Sequence, residues 1–435
     1  MNLETPMSMR MSRRPVVLAL LLSLAAAGCG GGSGGGSESG GKLTVWLAVD
    51  AKESWPELVQ ATNKRFAEAH PGVEVEVQYQ QWPTKNQKLD AVLAGKNVPD
   101  VVEMGNSETT NYIHNGAFAP IDPARFDQSG AWLPALADAC REGDKMYCVP
   151  YYVGARIGVY RTDLFAEAGI HGAPKTYPEL ISAFDRLKST FGPKDPNFSA
   201  FYMPGRYWNA AMAFVKDAGG EIAVKEGDRW KSTLSSPKSV AGLTEWKRLI
   251  DTYYVGDRAK DNGDQPGVVA QGHVAVFYGN TWESDAAADE KSGGDPALKG
   301  KFSTFAFPGP SGRLLPPFLG GSTLAVPAKS KRKELANDWI KMFTDRQSQK
   351  GLIAANTLPN NTVQLAEVAA GGINGPSAQA AATGGWMTPF APGWTSVEKS
   401  NILPEMLERI ANGKASVRDA TREADKRIDE VINES

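Results

Sequence analysis

The sequence predicts an α/β protein built around a largely parallel sheet. An apolar run at 43–48 precedes a helical pattern over 55–69, and an alternating run at 73–79 precedes a second helical pattern over 84–94. The apolar run 98–104 continues this alternation. Strands that alternate with helices are typical of βαβ units, whose strands run parallel. Ligands of such sheets bind beyond the carboxyl ends of the strands.

The first elements follow from local periodicity. Leu58, Thr62 and Phe66 recur at helical spacing, and the Pro-Gly pair after residue 70 predicts the end of that helix. Residues 73–79 read Val-Glu-Val-Glu-Val-Gln-Tyr, and this period of two predicts a strand with one buried face. Both patterns therefore support the βαβ reading.

Later elements extend the α/β pattern to the C-terminus. Thr176 and Glu179 form a capping box that predicts the start of a helix ending near residue 190. Residues 369–385 are rich in Ala and Gly and have no clear pattern. Further helices are predicted at 109–115, 161–170, 209–218, 237–254, 334–343, 402–411 and 417–432, and further strands at 301–307 and 323–326.

Composition excludes some classes of protein. The 435 residues include 47 Lys and Arg against 49 Asp and Glu, so there is no basic excess of the kind that nucleic-acid binding requires. No apolar run after Cys29 approaches the roughly 20 residues that a transmembrane helix needs. The 11 tryptophans fit flat ligand-binding surfaces or core packing, and the sequence leaves both open.

The N-terminal segment predicts export. Arg10, Arg13 and Arg14 precede the apolar run 15–27, and small residues lead to Cys29. A charged start, a short apolar core and a small-residue cleavage site are typical of a signal peptide. The apolar run is about a dozen residues long, which is too short to span a bilayer.

The string Ala26-Ala27-Gly28-Cys29 resembles the lipobox of bacterial lipoproteins, with Ala26 where that family more often has Leu. The resemblance implies that residues 1–28 are removed as a lipoprotein signal peptide and that Cys29 is acylated. A plain signal peptide with an incidental cysteine is the alternative. Residues 29–41 are rich in Gly and Ser and predict a flexible tether.

The two remaining cysteines, Cys140 and Cys148, flank a turn-like stretch. Because an exported protein meets an oxidising environment, a disulfide between them is expected. A metal site is the alternative, and it lacks a nearby histidine. The four histidines are scattered without metal-ligand spacing and no catalytic triad can be named, so we predict no metal, no cofactor and no catalytic residue. A carboxylate pair for glycoside hydrolysis stays open.

Several strings, in the right order, resemble the family 1 extracellular solute-binding proteins, which are the receptors of ABC sugar importers. The resemblance covers residues 42–435, essentially the whole mature chain. The matching strings are Leu43-Thr-Val-Trp46, Phe66-x-x-x-His70-Pro-Gly-Val73, Val98-Pro-Asp-Val-Val102, Val149-Pro-Tyr-Tyr152, Val159-Tyr-Arg-Thr-Asp-Leu-Phe165 and Gly272-His-Val-Ala-Val-Phe-Tyr-Gly-Asn-Thr-Trp282.

This resemblance implies a two-lobed periplasmic-binding-protein-like fold of type II, with a hinge and a ligand cleft between the lobes. The first α/β lobe would comprise 42–155 and 320–370, and the second 156–319 and 371–435. Periodicity alone does not reveal such discontinuous lobes.

The resemblance also implies where the ligand binds. The C–H faces of a sugar ring stack on aromatic planes, and its hydroxyl groups require planar polar partners, so a sugar site combines both kinds of side chain. Trp282 occupies the position of a stacking tryptophan in related maltodextrin binders, and Tyr152 and Arg156 lie at the hinge. The full set of expected ligand-binding residues is Asp50, Trp82, Asn106, Ser107, Glu108, Tyr207, Trp208, Asn209, Trp282, Ser322 and Trp394.

The implied function is that of a lipid-anchored receptor on the outer face of the cell membrane. It would act as a monomer, capture a di- or oligosaccharide and deliver it to the permeases of an ABC importer, which a cytosolic ATPase drives. The runs 77–82 and 102–106 look most like those of chitobiose binders. One alternative is a secreted carbohydrate-active hydrolase or adhesin. Another keeps the fold but binds a polyamine, a phosphate ester or a metal complex, against which the aromatic residues argue.

Overall fold

The computed structural model describes residues 41–434, apart from the side chain of Pro83. The predicted signal peptide, the lipidated Cys29 and nearly all of the tether lie outside the described residues. The strands are β1 Gly41–Ala48, β2 Val73–Gln80, β3 Val101–Gly105, β4 Arg141–Glu142, β5 Lys145–Met146, β6 Cys148–Ala155, β7 Ile157–Arg161, β8 Ser199–Tyr202, β9 Ala223–Glu226, β10 Arg229–Ser232, β11 Val274–Gly279, β12 Phe302–Phe305, β13 Leu319–Ala325 and β14 Leu358–Pro359.

The α-helices of the described residues are α1 Asp50–Glu53, α2 Pro56–Ala69, α3 Trp82–Ala94, α4 Asn106–His114, α5 Pro134–Ala139, α6 Thr162–Glu167, α7 Tyr177–Phe191, α8 Trp208–Asp217, α9 Pro237–Tyr253, α10 Gln265–Ala270, α11 Trp282–Ala287, α12 Lys333–Thr344, α13 Arg346–Ala354, α14 Thr362–Ala369, α15 Gly375–Gly384, α16 Trp394–Lys399, α17 Ile402–Ala411 and α18 Val417–Val431. None of them is long and apolar enough to cross a membrane.

The first sheet has six strands in the order β14-β6-β13-β3-β1-β2. Strand β1 pairs in parallel with β2 and β3, as the βαβ pattern predicts. Strand β13, however, is antiparallel to both β3 and β6. The expectation of a largely parallel sheet is therefore wrong, because the chain leaves this sheet after β6 and returns to it in the opposite direction as β13.

The second sheet has four strands in the order β12-β7-β11-β8, and it is also mixed. Strand β6 of the first sheet ends at Ala155 and β7 of the second begins at Ile157, so Arg156 alone separates them. The chain crosses back between Phe305, the end of β12, and Leu319, the start of β13.

Each sheet has its own apolar core. The core around the first sheet includes Val45, Leu47 and Trp339, and the core around the second includes Phe201, Trp246 and Val276. A third and smaller cluster contains Val153, Ala155, Leu319, Ala378 and Met387, where the chain passes between the sheets. The lobe boundaries expected from the resemblance stay a prediction.

Most helix predictions agree with the structure to within a few residues, but α13 and α14 lie where no helix was predicted. A further helix lies in the patternless stretch 369–385. This stretch contains α15, whose buried side is formed by small residues that include Ser377, Ala378 and Ala381. Alanine and serine give little hydrophobic contrast between the faces of a helix, so the periodicity is weak. Close packing of small side chains still buries this face.

A disulfide joins Cys140 and Cys148. The bridge lies across the β4–β5 hairpin, in which Arg141 pairs with Met146. Both cysteines are fully buried in the core of the first sheet. The bridge therefore fastens this short hairpin to the start of β6.

Candidate ligand cleft

The parallel strands β1, β2 and β3 end at the same edge of the first sheet, and the next residues of each carry polar or aromatic groups. Asp50 follows β1, Trp82 follows β2, and the segment 106–108 follows β3. The Trp82 indole Nε1 donates to the Asp50 Oδ2 over 2.5 Å. The structure thus brings these two predicted residues into contact.

Glu108 lies in the same group but its oxygens are already occupied. Lys85 Nζ lies 2.8 Å from one carboxylate oxygen, and Asn86 Nδ2 donates to the other over 2.7 Å. The Lys85 ammonium also lies 4.7 Å from the centre of the Trp82 ring. Lys85 is 2% exposed, so its ion pair with Glu108 is shielded from water. The pair connects α3, which carries both Trp82 and Lys85, to the first turn of α4.

Asn106 begins α4 and is 3% exposed. Its Nδ2 donates to the Gly320 carbonyl over 3.1 Å, while its Oδ1 is buried and has no hydrogen-bond partner within residues 41–434. A buried acceptor without a partner is costly, so this atom is suited to a ligand donor. Ser322 of β13 is also fully buried, and its hydroxyl donates to Tyr152 Oη over 3.3 Å.

Glu103 is a buried acid that the sequence analysis did not select. Its Oε2 accepts from the Ala48 backbone N–H over 2.8 Å. Burial is the largest influence on the pKa of Glu103 and raises it to about 7. The Ala48 N–H, the Ser322 side chain and the Lys85 charge lower this pKa, but by less than burial raises it. An acid within the apolar strand Val-Val-Glu-Met-Gly was the available signal.

On the opposite side, β8 and β11 run parallel and also end at one edge of their sheet. Tyr207 and Trp208 follow β8, and Asn209 lies in the first turn of α8. Tyr207 is fully buried, whereas Trp208 and Asn209 are partly exposed. The Arg156 guanidinium, at the crossing between the sheets, lies 5.9 Å from the centre of the Tyr207 ring.

Trp208 is the centre of an aromatic cluster that we define as Trp208, Phe318, Trp386 and Trp394. Its ring lies 5.8 Å from Phe318, 6.3 Å from Trp386 and 6.2 Å from Trp394. Trp386 and Trp394 are 4% and 1% exposed. In this structure the two buried rings support Trp208, which carries the more accessible face. Trp386 was not among the predicted site residues because its loop has no motif.

Trp282 differs from the aromatic cluster because its side chain is 57% exposed. It begins α11 directly after the turn that follows β11. The buried Glu283 beside it accepts from the Asn280 backbone N–H over 2.7 Å and from Gln265 Nε2 over 2.5 Å. Burial raises the pKa of Glu283. The exposed ring therefore projects from a firmly held turn, as a binding platform requires.

Helices α4 and α16 pack against each other and connect the two sides. Helix α4 follows β3 of the first sheet, and α16 packs on α17 and α18, which cover the second sheet. Of the predicted residues, Asn106, Ser107 and Glu108 lie on α4, and Trp394 lies on α16.

Aromatic planes and planar polar groups thus follow the carboxyl ends of strands in both sheets. Such a combination can bind an uncharged polyhydroxylated ligand from two directions. No group of three side chains suited to a metal ion occurs in the part of the chain that is described.

Solved structures with the same architecture include the sugar-binding protein MalE from Xanthomonas citri, with a TM-score of 0.76, 22% identity, and coverage of 90% of this chain and 97% of that one. The GacH receptor of Streptomyces glaucescens gives a TM-score of 0.72 at 20% identity, covering 91% of this chain and 100% of that one. These similarities confirm the predicted α/β, two-lobed periplasmic-binding-protein-like fold.

The chain belongs to the bacterial extracellular solute-binding protein family, whose model matches residues 48–350. Among its relatives, the diacetylchitobiose binding protein DasA of Streptomyces coelicolor is 32% identical over 381 residues, or 87% of each chain. The arabinooligosaccharide-binding protein of Bacillus subtilis is 22% identical over 337 residues, covering 75% of this chain and 74% of the relative. The family consists of binding proteins rather than enzymes.

Proposed function

We propose that this protein is a carbohydrate receptor that captures a di- or oligosaccharide and delivers it to the permeases of an ABC importer. The observation that carries the proposal is the set of groups at the carboxyl ends of the strands of both sheets. One side offers Asp50, Trp82 and Asn106, and the other offers Trp208 and Trp282. These groups suit the hydroxyl groups and apolar faces of sugar rings.

The narrower proposal is that the ligand is N,N′-diacetylchitobiose or a related β-linked sugar. It is supported by the 32% identity to a diacetylchitobiose binding protein over 87% of each chain. The amide group of such a sugar can donate to an acceptor like the unpartnered Asn106 Oδ1.

A thermal-shift experiment tests this proposal. At 100 times its Kd, a ligand that binds only the native state stabilises it by about 2.7 kcal/mol. We expect diacetylchitobiose to raise the Tm by a few degrees. Cellobiose, which has the same linkage without acetamido groups, is the matched control and should give a smaller shift. If no saccharide of a broad panel shifts the Tm, the carbohydrate proposal is wrong.

The alternative of a secreted hydrolase makes a distinct prediction for the same sample. A hydrolase would release the chromophore from a nitrophenyl β-glycoside of N-acetylglucosamine. A receptor would bind the sugar part without turnover. Release that scales with the concentration of purified protein would favour the enzyme.

We also propose that acylation of Cys29 anchors the receptor to the outer face of the membrane. Each buried CH₂ of an acyl chain contributes about 0.8 kcal/mol, so two or three chains hold a folded domain without a spanning helix. Cys29→Ala should therefore move the protein from the membrane fraction to the medium. Ser33→Ala, in the Gly/Ser segment, is the matched control and should stay on membranes. Retention of the Cys29→Ala protein would contradict the anchor.

A further inference from the structure

Two glycines lie side by side where the chain passes between the two sheets. Gly154 of β6 pairs with Gly320 of β13, and both residues are partly exposed. Because neither has a side chain, accessible backbone is left between the side chains around them. We call this pair the glycine floor.

The neighbours of the glycine floor can be identified by placing a Cβ on each glycine. At Gly320 the Cβ would lie 3.7 Å from Arg156 Nη1 and 3.8 Å from Phe318 Cε1, which are ordinary contact distances. At Gly154 it would lie 3.1 Å from Asn280 Oδ1, in the turn that follows β11. The floor is thus bordered by Arg156 between the sheets, by an aromatic ring and by the turn after β11.

Asn106 borders the glycine floor from the end of β3. Its Nδ2 donates to the Gly320 carbonyl over 3.1 Å, and the residue is 3% exposed. Since Nδ2 and Oδ1 belong to one planar amide, this bond also fixes the direction of Oδ1, which has no hydrogen-bond partner within residues 41–434. The floor therefore has one oriented acceptor whose removal from water is not compensated.

Arg156 brings donors to the same floor. Its guanidinium lies 5.2 Å from the centre of the Phe318 ring and 5.9 Å from that of Tyr207. Its Nε is buried and lacks a hydrogen-bond partner in the described part of the chain, while the residue as a whole is partly exposed. A guanidinium carries five N–H donors in one plane. The two aromatic rings position this group without using any of these donors.

An acceptor and a group of donors at one floor match a secondary amide. In a trans amide the N–H and C=O bonds point in opposite directions within one plane. The two hydrogen-bond partners of such a group must therefore lie at different ends of it, whereas a hydroxyl group meets both partners at one atom. Asn106 contacts the carbonyl of Gly320, and Arg156 lies beside the Cβ position of the same residue. The acceptor and the donors thus approach Gly320 from different directions.

We propose that the glycine floor binds the acetamido group of an N-acetylated sugar. Asn106 Oδ1 accepts from the amide N–H, the Arg156 guanidinium donates to the amide carbonyl, and the methyl group contacts the Phe318 ring beside Gly320. The proposal rests on the proposed receptor function and names the part of the ligand that determines selectivity. The turn that borders the floor also carries Trp282, so the sugar ring attached to the acetamido group extends toward that side chain.

Gly320→Ala tests the space for the methyl group. Gly320 has no positive φ, and the added Cβ meets its neighbours at ordinary contact distances, so the variant should fold like wild type. In calorimetric titrations we expect the affinity for diacetylchitobiose to fall about tenfold and that for cellobiose to change less than about twofold. Gly371→Ala is the matched control, because Gly371 is exposed and has nothing within 4 Å of an added Cβ. It should bind both sugars like wild type.

Arg156→Met tests the donors, because methionine keeps an unbranched apolar stem and removes every N–H of the guanidinium. We expect about tenfold weaker binding of diacetylchitobiose and less than about a twofold change for cellobiose. Arg156→Lys, which keeps the charge without the planar fork, should be intermediate. Arg229→Met, at an exposed position of β10, is the matched control. An equal loss for both sugars in Arg156→Met would mean that Arg156 only supports the passage between the sheets, and the proposal would be wrong.

The wild-type titrations separate this proposal from the receptor function. If cellobiose binds and diacetylchitobiose does not, or if every variant keeps the wild-type ratio of affinities, the acetamido proposal is wrong and the receptor function stands. If no saccharide binds, both are wrong. If only diacetylchitobiose binds, its loss in Gly320→Ala but not in Gly371→Ala supports the floor, and retained affinity in Gly320→Ala overturns it. The same comparison decides the matter if Arg156→Met does not fold.

Discussion

Trp394→Ala should lower the free energy of unfolding by about 3–5 kcal/mol, the range for truncating a buried tryptophan. The side chain is 1% exposed and packs against Trp208 at a ring distance of 6.2 Å. It also begins α16, which the close approach of Gly393 to the end of α18 holds in place. The cavity left by the indole cannot collapse easily, because its walls belong to rigid helices.

Denaturant-induced unfolding measures this loss as a lower midpoint concentration with an unchanged slope. Trp282→Ala is the matched control, since it removes the same side chain from a site that is 57% exposed. Exposed substitutions usually change stability by less than about 0.5 kcal/mol. Equal losses in the two variants would show that the difference in burial has no energetic consequence, which would contradict the packing described for Trp394.

The start of the fold could be predicted from sequence because its signals are local. Strands β1, β2 and β3 follow from short runs at 43–48, 73–79 and 98–104, and the helices between them follow from the longer patterns at 55–69 and 84–94. Each signal lies within its own element or at its boundary. The crossing at Arg156 has no such signal. Residues 147–160 read as a single apolar stretch, although the structure assigns its two halves to different sheets.

Strand direction was harder to predict than strand position. The run around 323–326 was expected as a strand, and the structure extends it to Leu319–Ala325. Its antiparallel pairing with β3 depends on a connection through the whole second sheet, which local periodicity does not contain. The resemblance to a known family supplied the crossing that the residue pattern lacked.

The candidate site also contains residues that local sequence signals predict and residues that they do not. Asp50 and Trp82 were expected because they follow strands, and a hydrogen bond joins them. Trp386 was not expected, since its importance depends on a contact with Trp208, more than 150 positions earlier in the chain. The ligand-binding roles of all the predicted site residues stay predictions.

The candidate cleft contains two kinds of tryptophan. One kind is buried and supports other side chains, and the other is exposed and is expected to contact the ligand. Trp394 and Trp386 are buried and position Trp208, so their loss should affect folding first. Trp282 contributes little buried surface to the folded protein and should affect binding first. Measuring stability and affinity on the same variants distinguishes the two roles.

Trp282→Ala should weaken binding of diacetylchitobiose about 30-fold. Aromatic residues that anchor a ligand commonly contribute about 2 kcal/mol or more, and about 1.4 kcal/mol corresponds to a factor of ten in Kd. The ring projects from the turn held by Glu283, so little entropy is lost when it meets a sugar face. Because more than half of its surface is exposed, we expect this loss of affinity with almost no loss of stability.

Isothermal titration of Trp282→Ala and Trp282→Phe measures this contribution. Phenylalanine keeps an aromatic plane of smaller area, so Trp282→Phe should bind with an affinity between those of wild type and Trp282→Ala. A Trp282→Ala protein that binds like wild type would show that the exposed ring has no ligand contact. The binding surface would then be formed by Trp208 and the polar groups of the first side, where the unpartnered Asn106 Oδ1 is the next position to test.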